Sequence, residues 1–514
     1  MEISELAYRK IPQEKFKFRQ RDMLLHDEKF ETKPIGYFMD AWIRFRRNKA
    51  SVVAFMIIVA LTLFAIITPF FASYKISDAD GVYARMRPTL DFMEGTGFWD
   101  GTYKKTLNDR FYIFLAAFGA GYLDADGSGA DWNEGFASDV NPIEGVSEPF
   151  MAQGKSYRIT TVNSYNEIGF KFIAMTRARY EELMKWQTDN GVQIFWPIID
   201  PKQTQFADDA NYWYKHSANG TPLDAKGGQL KLEDMEQNKF VDIYKRDADG
   251  NVQYYVEKDR TMIQTRVWYA NYYYALNGHE PTHVFGTDGQ GYDILIRLAH
   301  GVRLSLILSW AVAICELIIG AFIGAMEGYY GGWLDMLVER VSDVLNAVPF
   351  VAVATLFNLH LVLPGKVSPL LGLLFAFVLT GWIGPAYVVR TQFYRYKNHE
   401  YVLAARTLGA SDFRLMLKHI FPNAIGTVIT RSVLVIPGVI FTESILSYLG
   451  IYNFNSSTMT SLGTMLSNGQ KYLGTDPYMI LFPSIVISLL MISFNLFGNG
   501  LRDAFNPSLR GSDE

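Results

Sequence analysis

An α-helical protein that crosses a membrane six times is the fold class this sequence predicts. A large folded segment of mixed α/β structure is expected between the first and second crossings. Three observations carry the prediction. Long apolar runs recur six times. They crowd into residues 51–72 and 301–510. The stretch between them is rich in Tyr, Trp, Asp and Gly. A mean hydropathy of +0.04 and a charged fraction of 19% conceal this pattern, because they average two unlike regions.

Ser51 to Ala72 is uncharged over 22 residues. A bilayer core of about 30 Å needs roughly 20 helical residues, and lipid-exposed backbone must satisfy its own hydrogen bonds. The run lies some fifty residues into the chain and is longer than a signal-peptide core, so it reads as a span. Further spans are expected near 303–327, 342–363, 367–390, 424–450 and 477–500.

Orientation follows from Lys and Arg near span ends. Twelve precede Ser51, among them Arg44, Arg46, Arg47 and Lys49, and they place residues 1–50 in the cytoplasm. Six crossings return the C-terminus to that side. Residues 391–423 then form a cytoplasmic loop, and Arg390 to Lys418 carries six Lys or Arg. Residues 73–300 lie outside. The single cysteine, Cys315, falls within a span and reads as a small packing residue, so no disulfide staples the outer segment.

The outer segment is too aromatic for a disordered linker. Trp186, Phe195-Trp196, Tyr212-Trp213-Tyr214 and Tyr272-Tyr273-Tyr274 serve as core in one reading and as a docking face in another. Val267 to Tyr274 fits a short strand or an aromatic helix equally. Asp-Ala-Asp-Gly occurs at Asp78 to Gly81, Asp124 to Gly127 and Asp247 to Gly250. Such alternating carboxylates either hold Ca²⁺ through hard oxygens or form Asp-rich turns without metal. The second and third copies lack the glycine and glutamate that complete an EF-hand loop.

The informative motif lies between the fourth and fifth spans: Glu400-Tyr-Val-Leu-Ala404-Ala405-Arg406-Thr-Leu-Gly409-Ala410, then His419-Ile-Phe-Pro422-Asn423. Glu400, Ala404 and Ala405 are spaced for a helix with a small-residue face that another protein can approach. Gly409 suits the helix end because it accepts positive φ. Pro422 suits the start of the fifth span. The residues alone also fit an ordinary basic loop with one surface helix.

This segment resembles the EAA loop of binding-protein-dependent ABC importer permeases, and more narrowly the dipeptide/oligopeptide permease family. His283-Val-Phe-Gly286-Thr287-Asp288 through Arg297 is similar to that family's box before its second span, although Tyr292 stands where the family usually has arginine. Gly328 to Asp335, Arg340 to Asp343, Pro349, Glu443 to Gly450, Leu501 to Ala504 and Pro507 extend the likeness. It covers 283–510 closely and 35–72 loosely, and leaves out 73–282. The resemblance implies a type I importer bundle. It implies that Glu400, Ala404, Ala405, Arg406, Gly409 and Ala410 couple the bundle to an ATPase. It further implies a second homologous permease, two cytoplasmic ATP-binding subunits and an extracytoplasmic peptide-binding protein as partners.

Gly320, Gly324 and Gly328 recur every four residues in the second span and mark a close helix contact. Glu316 and Glu443 lie in or near spans, where an unpaired carboxylate is costly, so each is expected to face a partner helix or water. Arg431 is a candidate partner in the bundle, or else reaches for the interface. No Gly-Lys-Ser/Thr phosphate loop, metal-protease helix or nucleophile elbow occurs. The chain is therefore expected to be no enzyme and to bind no cofactor, with ATP on partner subunits and no nucleic acid partner. A membrane-anchored receptor or assembly protein, an ion-coupled transporter, and a permease for another solute such as a metal complex remain the alternative readings.

Overall fold

The structure, a computed structural model, describes residues 36–93, 95–123, 140–231 and 240–505. The Asp124 copy of the acidic repeat and Pro507 lie outside the described residues, as do most of the N-terminal cations.

Five described helices are long and apolar enough to cross a membrane, or six if one bent pair counts as a single span. A short amphipathic helix, α1 (Tyr37–Arg47), leads into α2 (Lys49–Phe71). Asn48 separates the two and its side chain accepts the Ser51 N–H at 3.2 Å. Phe45 of α1 packs edge-on against Phe497, which fastens this N-terminal pair to the last span.

Between the first and second spans lie two four-stranded antiparallel sheets. The first contains β1 (Thr102–Asn108), β2 (Ile143–Val146), β3 (Phe150–Ala152) and β4 (Lys155–Asn163), in the order β1-β4-β2, with β3 also paired to β4. The second contains β5 (Phe170–Thr176), β6 (Phe195–Trp196), β7 (Tyr255–Glu257) and β8 (Met262–Trp268), in the order β5-β8-β6, with β7 on β8. Helix α3 (Asp109–Leu123) continues directly from β1, α4 (Arg177–Asn190) from β5, and α5 (Tyr269–Asn277) from β8. The run Val267 to Tyr274 is thus both strand and helix, changing at Trp268. Trp196, Trp213, Tyr214, Tyr244 and Trp268 share one buried core with Phe118 and Phe170, so these aromatics are interior rather than a docking face. Gly121 of α3 leaves room for the Trp213 indole: a Cβ there would stand 2.6 Å from its Nε1.

The second span, α6 (Ile294–Tyr330), has 37 residues. It begins earlier than the hydropathy suggested because Asp293 caps it, its Oδ1 accepting the Ile296 N–H at 2.9 Å. At the other end Gly331 (φ +67°) and Gly332 (φ +64°) turn the chain into α7 (Gly332–Asn346). The third span expected near 342–363 is a bent pair of helices rather than one continuous helix. Helix α8 (Phe350–Phe357) continues through Asn358–Val362 and lies at 79° to α7. Pro349 explains the break: it disfavours helix at Val348 and brings no N–H of its own.

The fourth span is α9 (Pro369–Tyr396). A short helix, α10 (Glu400–Thr407), follows. The fifth, α11 (Asp412–Tyr448), begins well before the expected residue 424. Pro422 does not start it. The helix runs through Pro422 after a π-type turn over Leu415–Ile420, which accommodates a residue that cannot donate to the preceding turn. The loop expected at 391–423 is therefore mostly helix. Helix α12 (Leu462–Gln470) and the last span, α13 (Tyr478–Phe505), complete the chain.

Candidate coupling surface

The sequence-predicted contact residues fall on α10 and the turn after it. Glu400 opens the helix, where a negative charge suits its dipole, and Arg406 lies in the last turn. The helix ends in a two-bond cap: Gly409 N–H donates to the Arg406 carbonyl at 3.0 Å, and Ala410 N–H to the Ala405 carbonyl at 3.1 Å. This cap needs a left-handed residue, and Gly409 has φ +85°.

One side of α10 is fixed to the bundle. Val402 is fully buried with Val389, Phe393, Leu415 and Ile420, and Ala405 and Ala410 pack against this cluster. Ala404 is exposed, so the two alanines do not form one open small-residue face as the spacing suggested. Large exposed apolar groups stand on and after the helix instead: Leu403 on α10, Leu408 at its C-cap and Phe413 at the start of α11, with Leu408 89% and Phe413 67% exposed. Those large apolar groups were missed in the sequence.

The last predicted residue on this helix is exposed but bonds back to the bundle. Arg406 Nη2 donates to Tyr329 Oη at 3.1 Å, and the Tyr329 hydroxyl donates to Asp412 Oδ1 at 2.5 Å. Lys397 Nζ donates to the Gly328 carbonyl at 2.9 Å and lies 4.3 Å from the Tyr394 ring centroid. Burial lowers the pKa of that ammonium. Arg390 and Tyr394 both donate to Asp335 Oδ2 at 2.8 Å. These bonds tie α10 and the end of α9 to the C-terminal end of α6 and the start of α7.

Gly320, Gly324 and Gly328 face α9. A Cβ at Gly320 would stand 2.8 Å from the Trp382 carbonyl, one at Gly324 would run into the Ala386 carbonyl, and one at Gly328 would lie 2.7 Å from the Arg390 carbonyl. The Glu316 side chain occupies the space above Gly381. Arg431 is exposed and does not partner Glu443, whose carboxylate accepts from Ser305 and Ser447.

At the far end of α6 the His283 box seats the start of the inserted segment. His283 Nδ1 and Asp293 Oδ2 lie 2.9 Å apart, both residues buried. Thr287 Oγ1 donates to the Tyr83 carbonyl at 2.5 Å and accepts the Met86 N–H at 2.8 Å. Gly291 (φ +82°) lets the Asp80 carbonyl approach where a side chain would block it. Tyr292 lies beneath Arg297, whose guanidinium carbon is 4.3 Å from the ring centroid. Burial pushes the Asp288 carboxyl up, opposed by the Gln290 and Tyr292 N–H groups. Beyond the box, Arg85 and Arg87 converge on the buried Asp476, 2.6 and 3.2 Å away, and hold the insert against the approach to α13.

The two described acidic repeats spend carboxylate oxygens on local hydrogen bonds. Asp80 Oδ1 caps Val82 N–H and its Oδ2 accepts from Tyr269. Asp247 Oδ1 accepts from Asp249 and Asn251 N–H groups. Among the described residues no three His, Cys, Asp or Glu converge as a metal group would require.

The family described as binding-protein-dependent transport system inner membrane component matches residues 317–511. The oligopeptide transport system permease protein OppC of Bacillus subtilis (strain 168) is 42% identical over 238 residues, 46% of this chain and 76% of that protein. The chain belongs to this family of inner-membrane transport components. The dipeptide transport system permease protein DppC of the same organism is 39% identical over 230 residues, 44% of this chain and 69% of that protein. OppC of Escherichia coli (strain K12) is 33% identical over 235 residues, covering 45% and 74%. The N-terminal TM domain of oligopeptide transport permease C matches residues 36–88. The two family matches leave most of the sheet-bearing insert of this permease between them. The protein is a multi-pass membrane transport component, not an enzyme.

Proposed function

We propose that this permease moves oligopeptides or dipeptides inward across the cell membrane, and that α10 receives the stroke of a separate ATP-hydrolysing subunit. One observation carries the reading. A short helix, capped by Gly409 and packed on the bundle through Val402, is accompanied by exposed Leu403, Leu408 and Phe413, on it and just after it. An apolar surface of this kind is the mark of a partner contact.

The bonds from Arg406 to Tyr329 and from Lys397 to Gly328 give a push on α10 a path into α6. Helix α6 spans about 55 Å at 1.5 Å per residue and ends at the His283 box under the insert. Closure of two ATP-binding subunits would thereby switch the bundle between outward- and inward-facing states, a two-state coupling between distant sites. In this reading both termini and Glu400 to Gly409 are cytoplasmic and the insert is an extracytoplasmic α/β domain. A second homologous permease completes the pathway. The insert docks a peptide-binding protein or covers the outer mouth.

Reconstitution with purified ATP-binding subunits, a second permease and loaded binding protein tests this. ATP-dependent uptake of labelled di- to hexapeptides is expected. Replacing residues 102–268 with a short connector should spare ATPase retention and lower uptake at limiting peptide. A complex that retains no ATPase would overturn the reading; unchanged uptake by the shortened protein would overturn the role of the insert alone.

A further inference from the structure

One hairpin of the insert, residues 89–100, turns large rings outward. Thr89 and Asp100 close it as an antiparallel bridge, and the Leu90 N–H donates to the Trp99 carbonyl at 2.8 Å. Phe92 is 79% and Phe98 62% exposed; among the described residues they are the most exposed phenylalanines of the insert. Neither the core of the insert nor the transport scheme above uses them.

Trp99 fixes where this hairpin stands. Its indole N–H donates to the Val284 carbonyl. Its ring centroid lies 5.9 Å from that of Phe285 and 5.4 Å from that of Phe482, and those two rings stack at 4.2 Å. Trp99 holds φ +60°, a setting that persists in a large residue only when its surroundings enforce it. Phe482 belongs to α13, four residues after the helix begins at Tyr478, hence roughly 6 Å along it at 1.5 Å per residue. Its neighbours Leu481 and Ile485 are exposed on that span. Phe64 of α2 packs against the same core as Phe285 and Phe482, and α2 ends seven residues later with exposed Phe70 and Phe71. The hairpin is therefore tied at the level where two spans leave the bilayer.

The tip also satisfies its own polar backbone. Met93 N–H donates to the Leu90 carbonyl at 2.8 Å, Thr96 N–H to the Met93 carbonyl at 3.1 Å, and Gly97 N–H to Asp100 Oδ2 at 2.6 Å. The Thr96 hydroxyl donates to the Met93 carbonyl at 2.6 Å. Water would satisfy these groups in a solvated loop; the edge of a hydrocarbon layer would not.

We propose that the 89–100 hairpin seats Phe92 and Phe98 in the headgroup and upper acyl region of the bilayer beside α13. The insert is thereby fastened to lipid as well as to the bundle. Aromatic rings are favoured at this depth, and burying their apolar surface there supplies the attraction. Asp91 and Glu94 in the same loop restrict it to the interface. A protein partner would also cover exposed rings, but the tie to Phe482 sets these beside the exposed Leu481 and Ile485 of a membrane span. The proposal holds for either direction of the chain across the membrane.

The test attaches a nitroxide label at Phe98→Cys in the full-length Cys315→Ala protein. The permease is reconstituted alone in nanodiscs of phosphatidylcholine and phosphatidylglycerol. Power saturation compares collisions with oxygen, which concentrates in lipid, and with a water-soluble nickel chelate. The oxygen-to-nickel accessibility ratio should exceed that of a label at Ala218→Cys, exposed elsewhere on the insert, several-fold. Adding Phe92→Asp should lower it toward the value at 218. Equal ratios at 98 and 218 would overturn the proposal, whether or not an added peptide-binding protein then shields the label. A high ratio unmoved by Phe92→Asp would overturn the part assigned to the rings. Should Phe98→Cys fail to insert, a label at Phe92→Cys, with Phe98→Asp as its second change, is judged by the same outcomes.

Discussion

Gly409 concentrates the coupling argument in one backbone angle. At φ +85° an ordinary side chain costs roughly 1–2 kcal/mol, and a β-branched one more. No atom lies within 4 Å of a Cβ built there, so the strain is conformational and not steric crowding by neighbours. Gly409→Val should therefore relax by unwinding the last turn of α10 and moving Leu408. The expected outcome is a normally inserted protein with ATP hydrolysis no longer stimulated by loaded binding protein, measured after reconstitution. Gly409→Asn should retain most of the stimulation, because asparagine tolerates the left-handed region. Full stimulation in the valine protein would remove α10 from the coupling path.

At the scale of elements, the glycine stripe of α6 decides how closely two spans approach. Gly324 has no room for a Cβ because the Ala386 carbonyl of α9 stands there. Gly324→Leu must separate the helices or shift their register, and overpacking of this kind costs about 1–3 kcal/mol or more. The expected result is a lower unfolding temperature in detergent and loss of the full-length protein from membranes. Gly384→Ala on α9, where nothing lies within 4 Å of the added carbon, is the matched control and should behave as the parent. Equal stability of the two variants would show that the contact between α6 and α9 is not what holds the bundle. A different contact, beside the Asp293 cap, supports the part of α6 that outruns its hydropathy. Its first turns are apolar and buried, with Ile294, Leu298 and Val302 in the core beside α13, so protein contacts hold the helix there.

For the whole molecule, the proposed orientation predicts which surfaces meet an impermeant thiol reagent. Cys315, half-buried in α6, is first replaced by alanine. Ala218→Cys, exposed on the insert, should then label in intact cells; Asn398→Cys, exposed before α10, should label only after the membrane is opened. Labelling in the opposite order would invert the topology and remove the proposed cytoplasmic site for the ATPases.

The apolar runs, the charge bias, the EAA-like segment and the glycine spacing were legible along the chain because each is a local pattern of residue types. The left-handed end of α10 belongs with them, since a glycine after a short amphipathic helix is a local signal. The bend at Pro349 was only half legible: proline marks a break but not its angle, which depends on what each half packs against. The exposure of Leu403, Leu408 and Phe413, the packing of Ala405 against the bundle, and the bonds from Ser305 and Ser447 to Glu443 were not legible. They depend on residues more than a hundred positions apart, such as Ser305 and Glu443, arriving at one place. Composition and apolar run length determined that this chain enters a membrane and which stretches form its apolar helices, but not where those helices begin. Burial and the matching of polar groups across helices, which arise only when the bundle closes, decided which side chains face inward and which are left for a partner.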